Sequence, residues 1–271
     1  MVRILQVGLL FYFVVAFSNC KDESLTPSVI INVEEDFYID MFEDISNGEK
    51  VFNITIKSIQ NQECLNTIID YHIDINEEEA EIILSINDIL DPETCDFGNA
   101  PAFVSIPFEK IPEKDYGIHI NLKDVVFNNG TLFASSKKYR LFMYAKDGFQ
   151  LLHENLYKIP EKTIWGYIGY EEESGRTQAD NFIKDLKNLV TNIEIAPVAY
   201  DTGYYGYFNL LEGKSITLEK EIEENFLSTF IFYNEDDSHA SINSLLDDYC
   251  DSNPNLSFYV FTSEGEELNC E

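Results

Sequence analysis

The chain carries four histidines, His72, His119, His153 and His239, and 49 acidic residues. These are the groups that most often move protons in a site. His72 and His119 fall on the polar side of alternating stretches, which reads as solvent exposure. His153 follows a turn signal. His239 comes after Asn234-Glu235-Asp236-Asp237-Ser238, where Ser238 or Asp237 is an N-cap and the acids suit a helix dipole. No serine sits in a Gly-x-Ser-x-Gly elbow, and no His-Glu-x-x-His occurs. Glycoside hydrolysis needs two facing carboxylates at a set separation, and no pair here has a distinguishing context. Calcium needs six to eight oxygens. Asp236, Asp237, Asp247, Asp248 and Asp251 gather around one helical stripe as weak candidates, without the glycine-centred calcium loop. The expectation is therefore no metal and no cofactor.

The aromatic run Tyr200-Asp201-Thr202-Gly203-Tyr204-Tyr205-Gly206-Tyr207-Phe208 is the most suggestive stretch. Asp-Thr-Gly occurs once, where an aspartic protease needs two lobes. In a strand, Tyr205 and Tyr207 share one face and Tyr204 and Phe208 the other. One face must pack; the other is free to present tyrosine to a partner or a sugar ring. Tyr204, Tyr205, Tyr207 and Phe208 are the expected binding face, because tyrosine joins a large apolar area to a polar tip.

Five cysteines are present. Cys20 ends an apolar run over residues 4–17, preceded by Arg3 and followed by Lys21-Asp22-Glu23. A basic start, a short apolar core and a polar exit read as an export signal over 1–19. The run is shorter than the ~20 residues a transmembrane helix needs. Phe17-Ser18-Asn19-Cys20 with Lys21-Asp22-Glu23 resembles the signal of Bacteroidetes-type cell-surface lipoproteins. That resemblance covers residues 1–23. It implies acylation of Cys20, a tether over 20–27 and display from the outer membrane. The alternative is an ordinary cleaved signal with Cys20 incidental. Four cysteines remain, and they allow three pairings. Cys64 with Cys95 and Cys250 with Cys270 is the local choice, each pair falling inside one half of the chain. None has Cys-x-x-Cys spacing, so redox and zinc-knuckle chemistry are not indicated.

The net charge is −31. Removing Arg3 with the signal takes the body to about −32. Such a field repels nucleic acid and anionic headgroups. It suits cations, basic partners and neutral glycans.

The elements that must position any site divide at Ile159-Pro160. Residues 28–158 alternate with period two, as in Phe52, Ile54, Ile56; Ile69, Tyr71, Ile73, Ile75; and Ile118, Ile120, Leu122. Further strands are expected over 81–86, 102–107, 131–135 and 139–145, with Asp147-Gly148 as a hairpin turn to 149–152. This predicts an N-terminal antiparallel β-sandwich, immunoglobulin-like in architecture. Residues 159–271 read as strand 164–170, helix 175–190 capped at Ser174, extended pieces 193–200 and 204–211, strand 227–233, a second helix through Ile242, Leu245, Leu246 and Tyr249, and strand 256–262. A β-α-β-β-α-β order predicts a ferredoxin-like α/β sandwich.

The layout, a sandwich spacer before a displayed module, resembles Bacteroidetes surface glycan-binding lipoproteins. It implies a binding module for a glycan, a peptide or an envelope protein, held to the membrane by its lipid, with enzymatic activity left open; the charge argues against nucleic acid. The alternatives are an envelope hydrolase using acidic residues and a purely structural or inhibitory lipoprotein. A cleft with converging acids would favour the hydrolase; a flat aromatic face would favour the binder.

Overall fold

Period-two alternation builds the first half of the chain. The computed structural model describes residues 34–269 apart from 47, 221, 223, 236 and 237. The signal, Cys20, the tether, Asp236, Asp237 and Cys270 lie outside the described residues. Ten strands come first: β1 (Phe37–Asp44), β2 (Val51–Cys64), β3 (Ile68–Asn76), β4 (Glu81–Leu90), β5 (Phe97–Phe108), β6 (Asp115–Leu122), β7 (Val126–Ala134), β8 (Lys138–Met143), β9 (Phe149–Leu151) and β10 (Asn155–Tyr157). They form a four-stranded sheet, β5-β2-β1-β9, and a six-stranded sheet, β10-β8-β7-β6-β4-β3. Phe37, Ile39, Ile54 and Ile56 of the first share a core with Leu84, Ile118, Ile120, Leu132 and Leu141 of the second. Each such buried side chain contributes about 1.5–3 kcal/mol over leaving it in water.

The sheets are not wholly antiparallel. β4 runs parallel to β6, and β1 parallel to β9. A chain that leaves β4 for β5 in the other sheet and then returns must re-enter in its original direction. The Asp147-Gly148 turn is likewise no hairpin, because it carries the chain from β8 in one sheet to β9 in the other. Buried Asn128 holds that crossing. Its Nδ2 donates to the Asp147 carbonyl at 3.0 Å and its Oδ1 accepts from the Asp147 N–H at 2.9 Å.

The second half contains β11 (Thr163–Tyr170), α1 (Arg176–Leu186), β12 (Gly203–Tyr204), β13 (Phe208–Leu210), β14 (Ile216–Leu218), β15 (Phe226–Tyr233), α2 (His239–Ser252), β16 (Leu256–Thr262) and β17 (Glu267–Asn269). Its main sheet has the order β15-β11-β16-β17, with β11 antiparallel to both neighbours. Phe182 and Leu186 of α1 and Ile242 and Leu246 of α2 pack on Ile164, Ile168, Phe230, Phe258 and Val260. Every residue of β11 is buried. At Gly166 a Cβ would lie 2.0 Å from the Tyr259 carbonyl oxygen. Only glycine lets these strands approach so closely.

Three local expectations fail for identifiable reasons. α1 begins at Arg176, and Ser174 sits in a 3-10 turn without capping it. Ser238 does stand at the N-cap of α2, but its side chain makes no cap bond and donates instead to the Leu189 carbonyl at 2.9 Å, tying that helix to the end of the other. No strand forms over residues 193–200, where Asn192 Oδ1 accepts from the Glu194 N–H at 2.9 Å and Pro197 has no N–H to give. On the side of β15 away from β11, among the described residues, Thr191 makes one isolated bridge with Tyr233. The chain then leaves to build a separate sheet, β12-β13-β14.

A third core holds the two halves together. Ile45 from the first packs with Ile159, Trp165, Tyr200, Tyr205, Phe208, Leu210 and Ile231 from the second. Residues Glu34–Glu271 accordingly form one compact unit. Among the described residues no helix is long and apolar enough to cross a membrane.

Candidate ligand-binding face

The aromatic run lies inside the protein. Tyr204 is 8 % exposed, Tyr205 2 % and Phe208 0 %, with Tyr207 half-buried. Gly203 (φ 143°) and Gly206 (φ 87°) adopt backbone that side chains rarely allow, and they bend the run between β12 and β13. The single strand with two opposed faces is thereby lost. Tyr205 stacks on Phe208 at 5.0 Å and donates its hydroxyl to the Asp201 carbonyl at 2.8 Å. Tyr207 lies against Phe42 and Trp165, and its oxygen accepts from the Ile45 N–H at 3.2 Å. Burial pushes the Tyr207 phenol up to about 12, and the Tyr204 and Tyr205 phenols are raised too. The expected binding face of Tyr204, Tyr205, Tyr207 and Phe208 is therefore corrected to a packing element between the halves.

The described acidic candidates do not converge, and His72 is exposed on β3. Asp247, Asp248 and Asp251 are exposed on α2, and among the described residues no three potential ligands converge for a metal. His119 bonds Asn129 at 2.7 Å and Glu81 at 2.9 Å, and His239 bonds Glu266 at 3.0 Å. Cys64 and Cys95 form a disulfide. Cys250 is disulfide-bonded as well.

A cleft of about 570 Å³ opens where β11 meets α1 and α2 meets β16, lined in part by Glu171, Glu172, Gln178 and Asn253. Asn225 Nδ2 donates to the Glu171 carboxylate at 2.6 Å. A buried carboxylate lies elsewhere. Glu43, 3 % exposed, is raised by burial against the pull of Lys50 and Lys158, with the Tyr139 hydroxyl 3.4 Å away.

His153 is the titrating contact between the halves. Its ring stacks on Tyr204 at 3.7 Å, and its Nδ1 donates to Asp40 at 3.0 Å. The Asp40 hydrogen bond raises its pKa above 6.5, opposed by burial and aided by the charges of Asp40 and Glu219. A raised folded value means the stabilisation is complete below 6.5 and fades as pH climbs through that value. Wild type is expected to lose about 1 kcal/mol across that window relative to Asp40→Asn. Urea midpoints measured from pH 5.5 to 8.5 check this; parallel curves would refute it.

The outer face of the six-stranded sheet was not anticipated. Inward Leu132, Leu141 and Met143 alternate with outward Phe133, Arg140, Phe142 and Tyr144. Phe127 is 65 % exposed, Phe142 36 % and Tyr144 72 %. Phe142 meets Tyr144 edge-on at 5.3 Å. In the ladder, Phe133 stands opposite Arg140 and Thr131 opposite Phe142. Tyr144 continues the ladder beside Asn129, its N–H donating to the Asn129 carbonyl at 2.9 Å. Tyr144 is thus diagonal to Phe127, within the ~7–8 Å of such neighbours. Asn129, Thr131 and His119 set polar groups among the rings. Period two over 139–145 puts Phe142 and Tyr144 on the side opposite Leu141 and Met143, so the signal was present in the sequence.

The face can stack planar rings and bond hydroxyls at their edges. No family model matches the sequence, and neither a curated protein nor a solved structure matches it at a significant level.

Proposed function

We propose that this protein is an exported lipoprotein, anchored through Cys20, whose body binds a glycan on the outer face of its six-stranded sheet. The observation that carries the reading is a set of partly to largely exposed rings, Phe127, Phe133, Phe142 and Tyr144, on one open sheet face. Exposed apolar groups clustered among polar ones mark interaction sites. A sugar fits better than an extended peptide. β7 lies between β6 and β8, so its backbone groups are used in the ladder and a peptide gains no strand pairing there. A sugar needs only a ring to stack on and side chains for its hydroxyls.

For the architecture, we read the first half as an immunoglobulin-like sandwich with two parallel crossings. The second half is read as ferredoxin-like, without the outer strand beyond β15. What supports the latter is the split β15-α2-β16 unit with β11 between its strands.

The double substitution Phe142→Ala and Tyr144→Ala is expected to weaken glycan retention at least tenfold, with the unfolding midpoint within ~0.5 kcal/mol of wild type because both rings are exposed. Affinity electrophoresis in polysaccharide gels measures the first and urea denaturation the second. Retention equal to wild type would remove the reading.

A further inference from the structure

We propose that the aromatic face selects a carboxylated sugar, with Arg140 as the group that takes the carboxylate. The inference rests on the glycan reading of this face and adds its substrate class. The chain has three arginines in all, against 49 acidic residues. Of the two that are described, Arg176 pairs with Glu173 at 3.2 Å. Arg140 is exposed on the sheet and, among the described residues, has no acidic partner. Its guanidinium carbon instead lies 5.7 Å from the Phe133 ring centroid and 5.7 Å from that of Phe142.

Two rings flanking a guanidinium do two things. They favour the cation electrostatically. They also limit the rotamers of a side chain that is otherwise costly to order. An ordered planar fork with free N–H groups matches a carboxylate in two parallel hydrogen bonds. Neutral sugar hydroxyls do not require a cation, whereas a uronic or sialic acid does. Lys138, on the same strand, is committed to Asn155 at 2.9 Å, and Lys146 lies 3.7 Å from Glu154. Among the described residues of β7 and β8, Arg140 is thus the cation without a polar partner.

The body's negative charge opposes an anionic ligand at long range. At physiological ionic strength the Debye length is ~8 Å, so distant carboxylates count for little at Arg140. The acid beside it in the ladder row, Asp115, is separated from it by Phe133, which pairs with both.

The test uses the mature chain with three probes: an oligogalacturonate, its methyl ester and a sialylated oligosaccharide. Esterification removes the charge and keeps the rings. Calorimetry at 0.15 M salt is expected to give at least tenfold tighter binding of the free acid than of the ester. Arg140→Gln should abolish that preference while leaving ester binding within twofold, and Arg140→Lys should retain only part of it. Preference for the sialylated probe places the carboxylate at a chain end; preference for the oligogalacturonate places it along the chain. Equal affinity for acid and ester, with ester binding still lost in Phe142→Ala, overturns the carboxylate role and leaves the glycan reading standing. Binding of none of the probes overturns both.

Discussion

Phe208→Ala is expected to destabilise the protein by about 3–5 kcal/mol, the range for truncating a fully buried aromatic ring. Phe208 is 0 % exposed and packs at 5.0 Å from Tyr205 and 5.4 Å from Trp165. Its core draws on both halves, with Ile45 on one side and Ile231 on the other. The cavity therefore falls where the halves meet, and neither half is positioned to fill it. The expected signature is a single urea transition that separates into two. Tryptophan fluorescence reports the junction through Trp165, and far-ultraviolet dichroism reports the sheets. Ile195→Ala, at a position 78 % exposed, is the control and should stay within ~0.5 kcal/mol. Coincident transitions in Phe208→Ala, with a loss below ~1 kcal/mol, would show that the third core does not couple the halves.

Removing the Cys64–Cys95 bridge is expected to cost about 3–4 kcal/mol in the chain-entropy account, for cysteines 31 residues apart. The site explains why this end of the sandwich depends on a covalent tie. β1 pairs with β2 as far as Ser58, the Ile59 N–H adds one bond to the Asp36 carbonyl at 2.9 Å, and from Asn61 to Cys64 the strand pairs with β5. Two register shifts interrupt that last pairing, between Lys57 and Asn61 and between Gln62 and Cys64. Leu65, Ile68, Leu90 and Phe97 around the bridge are 59, 58, 41 and 89 % exposed, so little apolar surface is buried to hold the ends. Paired Cys64→Ser and Cys95→Ser should lower the guanidinium midpoint and steepen its slope, because the unfolded chain without the cross-link exposes more surface. A loss under ~1 kcal/mol would mean that the unfolded chain is already compact across this loop.

The sequence went furthest where one face of an element is dry and the other wet. Ile118, Ile120 and Leu122 alternate with His119, Asn121 and Lys123, and β6 occupies that stretch with its apolar residues inside. Phe182 and Leu186, at helical spacing, lie in the helix they predicted. The local pairing of Cys64 with Cys95 is the bridge that forms. Such patterns are local, because an element needs only a few neighbours in sequence to show which side it buries.

Partnership was not legible in the same way. Period two gives a strand its two faces but not the sheet it joins, so the crossing at Asp147-Gly148 looked like a hairpin. Tyr205 and Phe208 carry the chemistry of a contact surface equally well at a partner's interface and at a junction between two halves of one chain. Gly203 and Gly206 decided between these by bending the run inward, and the cost of leaving Trp165 and Ile231 wet kept it there.

The chain on its own thus pointed to a β-rich body with two short amphipathic helices and made Cys64 with Cys95 the local choice among three pairings, which the structure bears out. The fold alone decided which aromatics face water. Inward Leu141 and Met143 fill the shared core, which leaves Phe142 and Tyr144 outside beside Arg140. That choice depends on how two sheets stack, and stacking joins residues far apart along the chain.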